Sequence, residues 1–250
     1  MKTSNKLIVT AFVITLVCLL AHDYKLKAVY MSESYLNPLR NFIPLNFKGF
    51  NAIDVNCSKL GNVKIVQGPF RVMVNKYATK YIHVSQKGEH LQIDVIYSAN
   101  DKLFDIYDPD DYNYNPVYIS CPSITNLNID NKYIYDNKPV KDSIGDKWRN
   151  FENILHGFKL DSIQISEDNG SHLVLDSNDI GILKADVGIS KGSAPIIEIL
   201  NSNKIREADF DIENKSDLQL SCIIPILNYH LDDSSRIILT GAVSNRLTKK

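Results

Sequence analysis

Asn169-Gly170-Ser171-His172-Leu173-Val174-Leu175 is a polar corner followed by a short alternating strand, and the pattern returns down the chain. It reappears as Lys191-Gly192-Ser193, as Asn214-Lys215-Ser216-x-Leu218-x-Leu220 and as Asp233-Ser234-Ser235-x-Ile237-x-Leu239. The serines step by 22, 23 and 19 residues. A second element follows the first: Ala185-x-Val187-x-Ile189 aligns with Ala208-x-Phe210-x-Ile212, and that with Leu227-x-Tyr229-x-Leu231. Two anchors stepping together predict a β-solenoid. In such a fold each coil of about twenty residues carries two or three short strands, and inward apolar residues of successive coils stack into one core. Ser and Asn at the corners bond the local backbone. A β-sandwich is the alternative architecture.

Working outward, the preceding region alternates with period two. Phe50, Ile53 and Val55 lead to Val63 and Ile65, then Val72 and Val74, Ile82 and Val84, and Leu91, Ile93 and Val95. Short runs of this kind between Gly61-Asn62, Gly68-Pro69 and Lys87-Gly88 read as half-buried strands and turns. The expectation is an all-β protein with a domain over 47–250.

The run Phe50-x-x-Ile53-x-Val55, Val63-x-Ile65-x-Gln67-Gly68, Tyr81-Ile82-x-Val84, Gly88 and Leu91-x-Ile93 resembles the opening of the auto-transporter adhesin head GIN domain family (DUF2807) of Bacteroidetes envelope proteins. Val117-Tyr118-Ile119-x-x-Pro122 and Leu127-x-Ile129 are similar to its next segment. The resemblance implies a β-solenoid-like fold and an exported, bacterial location, and it brings no catalytic residues.

Two stretches depart from this pattern. Asp105 to Asn115 is acidic and tyrosine-rich, and reads as a solvated loop rather than a calcium site, because it lacks the alternation and closing Glu of an EF-hand. Residues 132–157 read as a loop or helix insertion, with a short helix over Asp142–Leu155 that places Ile144, Trp148 and Phe151 on one face.

At the N-terminus, Lys2 and Lys6 precede an uncharged run from Leu7 to Ala21, which is the pattern of an export signal. The run is shorter than the roughly 20 residues of an ideal span, yet flanking lysines can lengthen a short one, and small residues are poorly placed for cleavage. Residues 1–22 are therefore read as an uncleaved signal-anchor in a membrane, with a cleaved signal peptide as the alternative, and 23–46 as a linker. In either case the remainder lies outside the cytoplasm.

Net charge is −1 without a basic stripe, which argues against nucleic acid as a partner. Cys57, Cys121 and Cys222 are widely separated among apolar neighbours and read as buried core, while Cys18 lies in the apolar segment. The six histidines show no metal spacing, and neither a nucleophile elbow nor a phosphate loop occurs, so no cofactor, metal or catalytic residue is expected. The sharpest chemical idea is a ladder of outward carboxylates, Asp186, Asp209 and Asp211, with Asn228 and His230 in the next coil. Stacked acids of this kind could serve a β-helical polysaccharide lyase or hydrolase. Exposed strand positions must be polar in any case, and the leading expectation is a non-catalytic envelope protein that binds or adheres through its strand face. Its ligand would be a glycan or a protein.

Overall fold

The computed structural model describes residues 3–31, 37–56, 63–98, 116–141, 152–241 and 243. The chain divides into two compact units, Met1–Phe42 and Ile43–Lys250. The first is dominated by helix α1 (Thr3–Met31), which carries no acidic residue in its first turn. Over Ser4–Ala28 it is long and apolar enough to cross a membrane, a test that a signal sequence also passes. Its apolar side chains, among them Leu7, Phe12 and Leu20, are exposed. The helix runs beyond the apolar segment, through His22 and Asp23, to Met31.

The second unit is all-β. Its strands are β1 (Phe42–Leu45), β2 (Ala52–Val55), β3 (Val63–Gln67), β4 (Arg71–Asn75), β5 (Ile82–Lys87), β6 (His90–Tyr97), β7 (Val117–Cys121), β8 (Asn126–Ile129), β9 (Lys132–Tyr135) and β10 (Lys138–Lys141). They continue as β11 (Asn153–His156), β12 (Lys159–Glu167), β13 (His172–Asp176), β14 (Asp179–Val187), β15 (Ile196–Ile199), β16 (Lys204–Ile212), β17 (Asp217–Leu220), β18 (Ile226–Leu231) and β19 (Arg236–Leu239). One sheet, here sheet A, has the order β1-β4-β7-β3-β11-β13-β15-β17-β19. The other, sheet B, has the order β10-β9-β6-β2-β8-β12-β14-β16-β18, with β5 paired to β6.

From β11 onward the chain alternates between the sheets, and from β13 onward each strand pairs in parallel with the one two places before it. The cause is the period-two pattern on both strands of each step. In sheet B, Leu127, Ile165, Ala185 and Phe210 share one inward row. In sheet A, Ile65, Leu155, Leu175, Ile199 and Leu220 share another. All of these are buried in one core. Antiparallel pairing is seen, among the described residues, in β4 on β7, β5 on β6 and β10 on β9.

Polar corners close the alternation. Asn178 is buried and accepts the Phe158 N–H on Oδ1 at 2.9 Å. Its Nδ2 donates to the Leu155 carbonyl at 2.9 Å and to Asn203 Oδ1 at 3.0 Å. Asn203 in turn donates to the carbonyls of Leu175 and Leu200. A buried amide satisfies backbone groups that a corner would otherwise leave without partners.

The sequence reading differs from the structure in two places, and part of it is not tested. Residues 142–151, with Ile144, Trp148 and Phe151, lie outside the described residues, as do Cys57 and the acidic stretch Asp105–Asn115. The end of the expected helix is instead strand: Asn153–His156 is β11, between β3 and β13. Its burial alternates, with Asn153 and Leu155 inward, so period two governs there and not 3.6. The repeat register also shifts at one corner. Ala185 pairs with Phe210 rather than Ala208, and His172 with Ile196, so that Ser171 does not share a register with Ser193. The segment Gly188–Pro195 makes a longer corner, with Gly188 and Gly192 both at positive φ. The following step runs as expected, with Ala208, Phe210 and Ile212 on Leu227, Tyr229 and Leu231. Leu218 and Leu220 likewise fall on Ile237 and Leu239.

Candidate ligand-contact face

Where the inward rows of sheet B are apolar apart from Glu167, the outward row between them is polar without a break. Gln92 pairs with Asp54, Asp54 with Asn128, Asn128 with Ser166, Ser166 with Asp186, Asp186 with Asp211, and Asp211 with His230. The row crosses β6, β2, β8, β12, β14, β16 and β18, and six inter-strand steps of about 4.8 Å make it about 29 Å long.

Neighbours fix many of its side chains. Asn128 Nδ2 donates to Asp54 Oδ1, and His90 Nδ1 lies 3.4 Å from Asp54 Oδ2. Gln92 Nε2 donates to both oxygens of Asp94, at 3.0 and 2.9 Å, and Asn56 Nδ2 donates to Asp94 Oδ1 at 2.7 Å. At the far end, His230 Nδ1 and Asp211 Oδ1 are 2.8 Å apart, and this carboxylate raises the His230 pKa above its ordinary value.

Two clefts open on this face. One, of about 520 Å³, lies over Asp54, Asn128 and Ser166 and reaches Asp130, Lys132 and Asp168. The other, of about 280 Å³, lies over Asp186, Asp211 and Glu213. Ile189 lines both clefts and is 58% exposed. It stands beside Gly188, whose φ of 84° belongs to the left-handed region that only glycine enters at no cost. A Cβ at Gly188 would collide with the Glu213 carbonyl and the Ser216 hydroxyl.

The rim of the larger cleft is a closed polar network. Lys132 is bound to Asp130, and Asn169 Nδ2 donates to Asp130 Oδ1 at 2.6 Å. Burial acts to raise the Asp168 pKa, but hydrogen bonds from Ser190, Ser193 and Asn169 pull it below its ordinary value. Behind this rim sits Glu167, fully buried in the inward row between Ile129 and Val187. Ser171 Oγ donates to its Oε1 at 3.0 Å, whereas Oε2 has no hydrogen-bond partner. Desolvation raises the Glu167 pKa well above its ordinary value, against the opposing Ser171 and Leu173 bonds.

The three carboxylates singled out from sequence are all exposed. Asp186 and Asp211 are register partners, but Asp209 lies opposite Lys184 in the neighbouring row. Asn228 and His230 do occupy the next positions beside Asp209 and Asp211. The strands also assemble a trio that sequence spacing conceals. Ligand atoms of Asp211, Glu213 and His230 lie within 4.8 Å of one another and could hold a divalent metal ion. Asp54, Asn128 and Ser166 were missed because their partners come from strands far apart in sequence, and no local motif marks them, whereas Ile189, aligned from sequence with the inward Ile212, is instead exposed on the corner after β14. Cys121 and Cys222 are buried, and burial pushes their thiols up to about 12 and about 11, which leaves them inert core residues.

Neither a family model nor a curated protein matches the chain. Among solved structures it is similar to a "putative adhesin" of Bacteroides fragilis NCTC 9343, at 11% identity and a TM-score of 0.43, covering 80% of this chain and 96% of that one. It is also similar to a "putative adhesin" of Parabacteroides distasonis ATCC 8503 (12%, TM-score 0.41, 80% and 94%). A "putative lipid binding protein" of the same organism follows (10%, TM-score 0.38, 80% and 94%). Likeness at this level assigns neither a family nor a function.

Proposed function

We propose that the chain is a non-catalytic binding protein of the bacterial cell envelope, built as a β-solenoid of the GIN-like kind, whose contact surface is the outer face of sheet B. The alternation of strands between two sheets, with parallel in-register steps and asparagine corners, supports the solenoid reading. Helix α1, with its apolar side chains exposed, supports export with the helix retained as a membrane anchor. Asp186, Asp209 and Asp211 belong to the contact surface in this reading, and none acts in catalysis.

The observation that carries the proposal is the unbroken polar row from Gln92 to His230. A long flat strand face suits an extended ligand. The detergent-solubilised full chain would be screened against glycan and peptide arrays, with reducing-end release followed on polysaccharides. Binding without turnover, lost in Ser166→Arg, is the expected result. Polymer cleavage abolished in Asp211→Asn would replace this reading with an enzymatic one. Binding to neither array, or binding indifferent to Ser166→Arg, would sink the contact face.

A further inference from the structure

We infer that the outer row of sheet B takes an extended, uncharged polysaccharide, running across the strands and seated against Ile189. The inference rests on the contact-face reading above and names its ligand class.

The first argument is the chemistry of the row. Ser166 and the Asn128 amide N–H left over from its bond to Asp54 offer donors, whereas Asp54, Asp186 and Asp211 offer only acceptors when ionised. A ligand spanning the row must therefore present donors and acceptors together. A phosphate or carboxylate has no donor for the aspartates, and an ammonium has no acceptor for those donors. A hydroxyl is both. Charge points the same way, since the larger cleft holds three carboxylates (Asp54, Asp130, Asp168) against the single cation Lys132, itself bound by Asp130. The smaller cleft adds Asp186, Asp211 and Glu213. Anionic chains are repelled along the whole track.

The second argument is spacing. A peptide is also donor and acceptor, but its residues rise about 3.3 Å, out of step with strands about 4.8 Å apart. A peptide strand is instead captured at a sheet edge through its backbone, and this row is a face. One pyranose ring with its glycosidic oxygen spans close to one inter-strand step, so successive sugars meet successive strands.

The third argument is Ile189. An isoleucine more than half exposed, lining both clefts, offers an apolar contact in an otherwise polar track. A pyranose presents a C–H face as well as hydroxyls, and it can cover such a side chain while its hydroxyls bond on either side.

The test is native affinity electrophoresis of the full chain in detergent, through gels containing soluble mannan, laminarin, xyloglucan or polygalacturonate. Retardation by at least one of the three neutral polymers is expected, with none by polygalacturonate. Ser166→Arg and Ile189→Asp, both at accessible positions and checked for unchanged circular dichroism, should each weaken retardation at least tenfold. Failure of all three neutral polymers, equal retardation by polygalacturonate, or full retardation of both variants would each overturn the inference. If the peptide array instead yields a ligand lost in Ser166→Arg, the contact face stands and the polysaccharide falls.

Discussion

Asn178→Leu removes an amide from a buried corner while keeping the branched outline of the side chain, and so tests what the polar corners contribute. In the native chain the side chain accepts from Phe158 N–H and donates to the Leu155 carbonyl and to Asn203 Oδ1. Asn203 Oδ1 keeps the Asn178 backbone N–H at 3.0 Å, so the loss falls on the two backbone groups of the preceding strand turn. A buried backbone group deprived of its partner costs about 1–3 kcal/mol, which places the variant about 2–6 kcal/mol below wild type. That is a large share of a stability of about 5–15 kcal/mol. Successive strands in an array of this kind interact mainly with their neighbours, so the damage should remain local. Guanidinium unfolding of the detergent-solubilised chain, followed by circular dichroism, measures the total. Hydrogen exchange should show the amides around Phe158 and Asp179 opening first. As a control, Asn228→Ala at an exposed strand position should stay within about 0.5 kcal/mol. A loss below about 1 kcal/mol in Asn178→Leu, with unchanged exchange at Phe158, would refute the view that these amides hold the corners.

Gly188→Ala combines a left-handed backbone with a clash against Glu213 and Ser216, and should cost about 2–3 kcal/mol, read by thermal unfolding. Gly192→Ala, at positive φ but in open space, should cost less than Gly188→Ala. Glu167 has a folded pKa raised above its ordinary value of 4.5, so the folded chain holds this proton more tightly than the unfolded chain. Its contribution is complete below about pH 4.5 and is lost as pH rises towards the raised folded value. Glu167→Gln, which cannot ionise, should therefore be more stable than wild type at pH 8 by a margin that shrinks towards pH 4. A margin independent of pH would show that Glu167 does not titrate with folding.

Much of this architecture could be read from period two alone. Val63 and Ile65, Leu91 and Ile93, and Leu127 and Ile129 become strands because alternating apolar residues can be buried only that way. The last repeats are also in register as spaced, because Ser216 to Ser235 is one corner-to-corner step without extra length. The corner after β14 misled the spacing. Apolar pairing of Ala185 with Phe210 and Leu175 with Ile199 sets the register, and the corner absorbs whatever residues are left over. Polar residues in inward rows were equally illegible, since Asn153 and Glu167 occupy apolar places that only their hydrogen bonds explain. The contact row could not be seen as a unit because Gln92, Asp54 and Asn128 come together through strands that are not consecutive.

The longer corner at Gly188–Pro195 and the β9–β10 hairpin share one property. After each excursion the chain returns to register: Ile196 resumes against His172, and Gln164 resumes against Asn126. Length can therefore drift at these corners under selection without disturbing the strands beneath. Ile189, carried on such a corner, is free to vary while the row it overlooks is held in place by the ladder. Related chains could diverge in what they recognise by changing exposed corner residues such as Ile189, while Gly188 and the serines that bond Asp168 and Asn169 keep the corner attached to the scaffold.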